Sequence, residues 1–157
     1  MLCAVTTDAS RPHACQVLGR DLVLWRDPLK GSWHANDDAC PHRLAPLSEG
    51  RIEVRRGGED KEGKACESCV LACAYHGWEF DSRGSCTRIP QLEDDPSARA
   101  TALASPRSRA RSYPVRVEAG LVFVWPDAEP GAEERASRAA PPPVPAEVVD
   151  KVEESGW

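Results

Sequence analysis

The sequence lacks the bulky apolar residues that a large hydrophobic core needs. Leu, Ile, Val and Phe supply only 28 of its 157 residues, whereas Ala alone supplies 21. A fraction of large apolar residues below about 20% is low for a globular domain. No apolar run approaches the roughly 18 residues of a membrane-spanning helix, and the N-terminus lacks the pattern of a secretory signal. We therefore expect a small core and no transmembrane segment.

The sequence also lacks an excess of basic residues. Its formal net charge is -5, and residues 1–126 contain 17 acidic and 17 basic residues. Because surfaces that bind nucleic acid need clustered positive charge, we expect no nucleic-acid partner. Residues 127–157 hold 8 acidic and 3 basic residues, and prolines occupy 141–143 and 145. This composition predicts a Pro-, Ala- and Glu-rich linker or disordered tail at 127–157, after a single domain at 1–126.

Residues 1–126 contain short runs of Val, Leu and aromatic residues, separated by Gly, Pro, Asp and Ser. No stretch has the 3.6-residue periodicity of a helix over a sufficient length, so the pattern predicts an all-β domain. The predicted strands are 15–18, 22–26, 33–36, 70–74, 79–81, 111–117 and 121–125. Two polar segments, 55–68 and 93–112, have little to bury and are predicted to be surface excursions without strands.

Two short segments combine Cys with His, and they carry the chemistry of the sequence. The first is Cys40-Pro41-His42 and the second is Cys73-Ala74-Tyr75-His76. Two thiolates and two imidazoles on paired loops can bind either a tetrahedral zinc ion or the two irons of a cluster. Trp78 and Phe80 follow the second pair, and apolar cover of this kind is typical of redox centres. We expect Trp78 to shield His76.

At these residues the sequence resembles the Rieske iron-sulfur family, whose paired boxes have the form C-x-H and C-x-x-H. It is more similar to Rieske oxygenases than to cytochrome bc-type proteins, because Ala45 and Tyr75 stand where the latter have disulfide cysteines. The similarity is greatest to one group of Rieske oxygenases that occurs in plastids and cyanobacteria. It lies in three segments of the sequence, C-P-H-R-L-A-P-L-S-E-G-R-I, Y-H-G-W-x-F and G-S-C-T-R-I-P-Q. This chlorophyll-metabolism group includes pheophorbide a oxygenase and chlorophyllide a oxygenase.

The resemblance implies an antiparallel β-sandwich that carries a smaller cluster-binding subdomain with a [2Fe-2S] cluster. Cys40 and Cys73 would bind one iron, and His42 and His76 would bind the other. A ferredoxin or similar donor would reduce this oxidoreductase part in the chloroplast. The electron would pass to mononuclear non-haem Fe(II) in an oxygenase domain or subunit that acts on a chlorophyll-derived tetrapyrrole. A basic cluster in the sequence is either an ordinary solvated surface loop or a patch that steers an acidic ferredoxin. It consists of Arg107, Arg109, Arg111 and Arg116.

The sequence departs from the family pattern in two respects. The 30 positions between His42 and Cys73 exceed the usual spacing by roughly a dozen, an insertion that adds little loop-closure entropy. The excess maps to 55–68 and brings Cys66 and Cys69, a C-x-x-C pair that is either metal-binding, redox-active or a pair of ordinary thiols. In addition, no histidine follows His76, so the second iron site cannot form downstream as the family requires.

We therefore expect the sequence to represent only the electron-transfer half of an oxygenase, with no catalytic residue of its own. Two other functions stay open at this point. A stand-alone Rieske-type ferredoxin would fit the short length, and a zinc-stabilised interaction module would use the same four ligands without redox chemistry. The colour of the protein distinguishes the last alternative, since a zinc protein is colourless and a Rieske protein is red-brown.

Overall fold

The computed structural model describes residues 2–3, 9–59, 65–118, 120–140 and 142–144. Strands dominate this part of the chain. In chain order they are β1 (Leu2–Cys3), β2 (His13–Val17), β3 (Arg20–Arg26), β4 (Trp33–Asp37), β5 (Arg51–Glu59), β6 (Ala65–Ala72), β7 (Glu79–Phe80), β8 (Cys86–Arg88), β9 (Ser112–Tyr113), β10 (Val115–Glu118) and β11 (Leu121–Val124). The helices are α1 (Pro96–Ala104) and α2 (Ala132–Arg138). Neither helix has the length and apolar character needed to cross a bilayer.

The described strands form three antiparallel sheets. Their strand orders are β1-β11-β10, β2-β3-β4-β9 and β5-β6-β7-β8. The first two sheets enclose one hydrophobic core, to which Leu22, Leu24, Val122 and Val124 contribute. This pair is the expected sandwich, and the third sheet is the smaller subdomain. The all-β fold class is therefore confirmed.

Strand β3 is buried on both faces and connects the sandwich to the third sheet. Leu22 and Leu24 point into the sandwich core, whereas Val23 and Trp25 point into a second core beneath the third sheet. Side chains alternate between the two faces of a strand, so one continuous apolar run serves both cores. The indole N–H of Trp25 donates to the Asn36 side-chain oxygen at 2.9 Å, which satisfies a polar group at this depth.

Each predicted strand overlaps a strand of the structure. Both segments that were predicted to be surface excursions, 55–68 and 93–112, contain regular secondary structure. Segment 55–68 belongs to the long hairpin of β5 and β6, which pair from Arg51 with Ala72 to Glu59 with Ala65; positions 60–64 lie outside the described residues. Pairing of the two strands satisfies the hydrogen-bonding groups of the backbone even where no side chain is buried. A hairpin of this kind therefore has no alternating apolar pattern by which the sequence could predict it.

Segment 93–112 contains helix α1, which was not predicted because the segment has no apolar periodicity. A local signal was present, because Asp95 accepts a hydrogen bond from the backbone N–H of Ala98 at 2.9 Å and Pro96 occupies the first helical turn. Asp at the N-cap followed by Pro is a helix-start signature. The helix is short and contains no buried residue, so its periodicity was too weak to predict it.

Helix α2 lies within the segment that the sequence predicted to be a linker or disordered tail. Arg116 of β10 donates hydrogen bonds to the carbonyl oxygens of Ala136, Ser137 and Ala139 at 3.1–3.3 Å. These carbonyls belong to the end of α2, where a helix leaves acceptors unpaired and a cation is favourable. Arg116 therefore fixes α2 on the sandwich, a role that neither interpretation of the basic cluster anticipated. Positions 145–157 of the predicted tail lie outside the described residues.

A buried carboxylate ties together three strands of the third sheet. Glu79 of β7 has a side chain only 3% exposed, and it accepts hydrogen bonds from Arg55 of β5 at 3.0 and 2.5 Å. Arg88 of β8 donates to the same carboxylate at 2.9 Å. Burial alone would raise the pKa of Glu79, but the hydrogen bonds and positive charges of Arg55 and Arg88 outweigh it and lower the pKa below its ordinary value.

We predict that Glu79→Gln destabilises the domain by about 1–3 kcal/mol at pH 7, because the two partly buried, charge-assisted contacts with Arg55 and Arg88 lose their anion. The folded-state pKa is lowered, so this stabilisation is fully present above the ordinary pKa of about 4.3 and is lost as pH falls through the folded value. Urea unfolding of both chains between pH 7 and pH 3 measures the difference, which should shrink on acidification. A constant difference across this range would contradict the assignment.

Candidate metal centre

The first Cys-His loop connects β4 to β5. Cys40 is 2% exposed and faces the second core, together with Leu47 from the end of the same loop. The carboxylate of Asp38 accepts hydrogen bonds from the backbone N–H and the hydroxyl of Ser48, at 2.7 and 2.6 Å. These bonds close the loop at its base and so fix the path of the chain between them.

The second loop connects β6 to β7 and has the same hydrogen-bond pattern as the first. The N–H of Cys40 donates to the Ala45 carbonyl at 2.8 Å, and the N–H of Cys73 donates to the Trp78 carbonyl at 2.8 Å. The N–H groups of Leu44 and Gly77 return to the carbonyls of Cys40 and Cys73. Leu44 and Gly77 both have left-handed φ values, 57° and 71°. The two loops are therefore equivalent in backbone structure.

This equivalence shows that the two histidines occupy different positions in matching loops. With the cysteines aligned, His42 corresponds to Tyr75 and His76 corresponds to Arg43. The spacings C-x-H and C-x-x-H thus place the imidazoles one position apart. Tyr75 is 61% exposed, and Arg43 is also exposed, so the positions opposite the histidines face outward.

The backbones of the two loops approach closely at Gly50. A Cβ atom at this position would lie 2.2 Å from the carbonyl oxygen of Ala72, the residue before Cys73. No side chain can occupy that space, so glycine is required where the first loop enters β5. This close approach brings the start of the second loop against the end of the first.

The two cysteine side chains are neighbours in the second core. Cys73 is 1% exposed, and its side chain is among the groups that raise the pKa of Cys40. Burial is the largest cause and raises the pKa of the Cys40 thiol to about 12, although the backbone N–H groups of His42 and Arg43 act in the opposite direction. Burial raises the pKa of any such thiol, and a metal ion that binds it favours the charged thiolate.

The two histidine rings meet at the surface end of the loops. The ring centroids of His42 and His76 are 4.6 Å apart, with an angle of 62° between the planes. The Nδ1 atom of His42 is buried and has no hydrogen-bond partner. Desolvation, with smaller contributions from His76 and Arg43, lowers the pKa of His42. A neutral imidazole with one unpaired ring nitrogen is the form that binds a metal ion.

Trp78 covers His42, whereas the sequence predicted that it would shield His76. Its ring lies 4.9 Å from that of His42, and the two planes are almost parallel at 5°. Tyr75 packs beside His76 instead, at 3.9 Å between centroids. The Trp78 ring crosses to the opposite loop because the two loops face each other, a relation that sequence proximity to His76 cannot indicate.

The arrangement of these side chains fits a two-metal cluster better than a zinc ion. The four residues form a buried sulfur pair, Cys40 with Cys73, and an outer nitrogen pair, His42 with His76. A tetrahedral zinc site requires four convergent donors, whereas a Rieske cluster has one pair of ligands on each iron.

Three further cysteines and His34 lie outside the two loops. Cys69 of β6 and Cys86 of β8 are buried in the second core, and burial raises the pKa of each thiol to about 11. Cys66 also lies in β6, at the position paired with Gly58. No disulfide joins the cysteines whose side chains the structure describes. His34 of β4 lies beside Ser32, with 3.0 Å between its Nε2 and the hydroxyl oxygen.

Comparison with known proteins agrees with this geometry. A profile of the Rieske [2Fe-2S] domain matches residues 3–114. The chain belongs to the Rieske [2Fe-2S] domain family. Pheophorbide a oxygenase, chloroplastic, of Oryza sativa subsp. japonica is 48% identical over 143 residues, which cover 91% of this chain and 24% of that protein. Flavonoid 8-hydroxylase 2, chloroplastic, of Ocimum basilicum is 41% identical over 78% of this chain and 21% of its own length.

Solved structures lead to the same family. A crystal structure of dicamba monooxygenase superposes with a TM-score of 0.59 and 30% identity, covering 83% of this chain and 34% of the other. This Rieske domain therefore spans about a quarter of the length of the pheophorbide a oxygenase and about a third of the solved monooxygenase chain. What is shared with these proteins is the cluster-binding fold.

We predict that Asp38→Ala lowers the iron content of the domain, because it opens the base of the first loop. Residues that orient metal ligands typically change metal affinity by about 10-fold or more when removed. The matched control is Asp95→Ala, which removes a comparable carboxylate hydrogen bond at the start of α1. Both variants should lose about 1 kcal/mol of unfolding free energy, but only Asp38→Ala should lose iron. Equal iron retention in an anaerobic reconstitution would contradict this role.

Proposed function

We propose that Cys40, Cys73, His42 and His76 bind a [2Fe-2S] cluster and that this chain is a one-electron relay. The observation that carries the proposal is the division of the four ligands into a buried cysteine pair and an outer histidine pair. Cys40 and Cys73 would hold one iron inside the second core, and His42, through its unpaired Nδ1, and His76 would hold the other. When bound, such a cluster supplies one-electron oxidation and reduction.

The histidine end of the site is the face at which a redox partner would approach. Leu44 and Tyr75 are 74% and 61% exposed beside the histidine pair, and the exposed Arg43 adds a positive charge. Apolar side chains rimmed by charge are typical of protein contact sites. An acidic ferredoxin-like donor would fit this face by charge. The earlier candidates Arg107 and Arg109 lie in a segment whose hydrogen bonds run to the β7–β8 turn, at Arg83 and Gly84.

The whole protein is proposed to be a plastid oxygenase that acts on a chlorophyll-derived tetrapyrrole at a mononuclear iron in another domain or subunit. The similarity to rice pheophorbide a oxygenase over 91% of the chain supports this proposal, and it favours an oxygenase component over a stand-alone ferredoxin. We further propose that residues 1–126 form the Rieske domain. Residues 127–157 would lead toward the oxygenase part, with α2 held on the sandwich by Arg116.

We predict that the chain, expressed anaerobically, contains two irons and two sulfides, as a [2Fe-2S] cluster requires. Low-temperature EPR of the dithionite-reduced protein should give a rhombic signal of low average g. His42→Ala and His76→Ala should abolish this signal, because each removes one of only two nitrogen ligands. Cys40→Ser and Cys73→Ser should abolish it as well.

Matched variants exist for both ligand types. His34→Ala removes a half-buried histidine on β4, and Cys86→Ser alters a buried cysteine of the same core. Both should keep the iron and the signal. A zinc-containing chain without the signal would end the electron-transfer proposal, and loss of the signal in the His34 variant would contradict the ligand assignment.

We predict that the chain can replace the matching quarter of rice pheophorbide a oxygenase. The chimera, supplied with ferredoxin, its reductase and oxygen, should oxidise pheophorbide a. The same chimera with His42→Ala should oxidise it at least about 100-fold more slowly, because electrons no longer reach the oxygenase part. Product formation is followed by chromatography. A parallel exchange into the basil flavonoid 8-hydroxylase tests specificity; better function in that host would contradict the tetrapyrrole assignment.

A further inference from the structure

Gln91 lies outside both Cys-His loops but contacts the second of them twice. It belongs to a short 3-10 turn, Pro90–Leu92, that follows β8. Its side-chain Nε2 donates to the backbone carbonyl of His76 at 2.8 Å. Its Oε1 accepts from the indole Nε1 of Trp78 at 3.2 Å. The amide can adopt only one orientation here, because a carbonyl only accepts and an indole N–H only donates.

The backbone of this turn is fixed against the core and against the loop. Ile89, immediately before the turn, is 2% exposed in the second core, and Leu92 packs against the same core. Pro90 lies close to Gly77, where an added Cβ would meet its ring at 3.2 Å. The Gln91 side chain therefore reaches the loop from a rigid base.

Gln91 is connected to both histidines, to His42 through Trp78 and to His76 directly. The Trp78 ring stacks on His42 at 4.9 Å, while its indole N–H is held by Gln91. The Gln91 amide holds the backbone of His76 at the same time. One side chain thus spans from the main chain of one candidate ligand to the ring that covers the other.

We propose that Gln91 is a positioning residue that holds the Trp78 ring over His42 and thereby limits the access of water to the histidine pair. The inference rests on the proposed function, because it concerns the redox property of the same site. The two hydrogen bonds are surface-exposed, so they contribute little to global stability. Their effect should therefore appear in the reduction potential and leave the unfolding midpoint unchanged.

The direction of the effect follows from charge. A reduced site carries one negative charge more than the oxidised site, and water stabilises the more highly charged form. When Gln91 is removed, the Trp78 ring is free to leave His42 and water reaches the imidazole. Because this exposure to water stabilises the reduced form more than the oxidised form, the midpoint potential rises.

The test compares Gln91→Met with Gln16→Met in the cluster-loaded 157-residue chain. Met preserves the length and apolar stem of the side chain but cannot make either hydrogen bond. Gln16 is a matched control, since it is also exposed and donates to a side chain, Asp21, at 2.9 Å. At a fixed applied potential, the ratio of reduced to oxidised protein should rise about 3- to 10-fold in Gln91→Met and stay constant in Gln16→Met.

A double-mutant cycle tests whether Gln91 acts through Trp78. Trp78→Phe keeps a ring over His42 but removes the indole N–H. In that background Gln91→Met should shift the potential less than in the wild type, since one of its two contacts is already gone. Additive shifts would overturn the connection through Trp78.

The other outcomes are equally definite. An unchanged potential in Gln91→Met, with a wild-type Rieske signal present, overturns this inference and leaves the proposed function intact. A wild-type chain without the signal overturns both. A Gln91→Met chain that keeps its unfolding midpoint but loses iron supports the positioning role, whereas a chain that unfolds shows that Gln91 is structural and overturns it.

Discussion

The site depends on the burial of two cysteine side chains from separate loops at one point of the second core. Cys40 and Cys73 are 2% and 1% exposed. Cys73 directly follows β6, which contributes to that core, and Cys40 follows β4, which packs in the sandwich core. Thiolates in such surroundings are costly without a cation. The loops must therefore be held in place by the protein before a metal centre can compensate for the buried charge.

The scaffold meets this requirement by building the same loop twice. Both loops begin with the cysteine, both return their hydrogen bonds to its backbone, and both pass through a left-handed residue at the same position. Gly50 permits the close contact between them. Because the backbones match, the different spacing of the histidines has a definite effect: it offsets the two imidazoles and leaves Arg43 and Tyr75 on the surface.

The third sheet accommodates the extra residues of its long hairpin at a distance from the two Cys-His loops. The long hairpin of β5 and β6 extends away from Cys73 by antiparallel pairing, with one register shift between Arg56 and Gly58, so extra residues lengthen the strands without altering the loops. Glu79 ties β5, β7 and β8 together directly after Trp78. Gln91 reaches the second loop from the turn that follows β8. The ion pairs of Glu79 thus hold the strands of the third sheet together, and the hydrogen bonds of Gln91 position the second loop.

The sequence by itself determined the candidate ligands and their spacing, the family and the all-β character, because these depend on local composition and on period-two alternation. Tertiary structure decided the rest. The capping of α2 by Arg116 and the stacking of Trp78 on His42 join residues that are distant in sequence, and the polar strands at 51–72 pair through backbone hydrogen bonds that need no apolar pattern. Such contacts arise from the packing of whole elements, which leaves no periodic signal in any one segment.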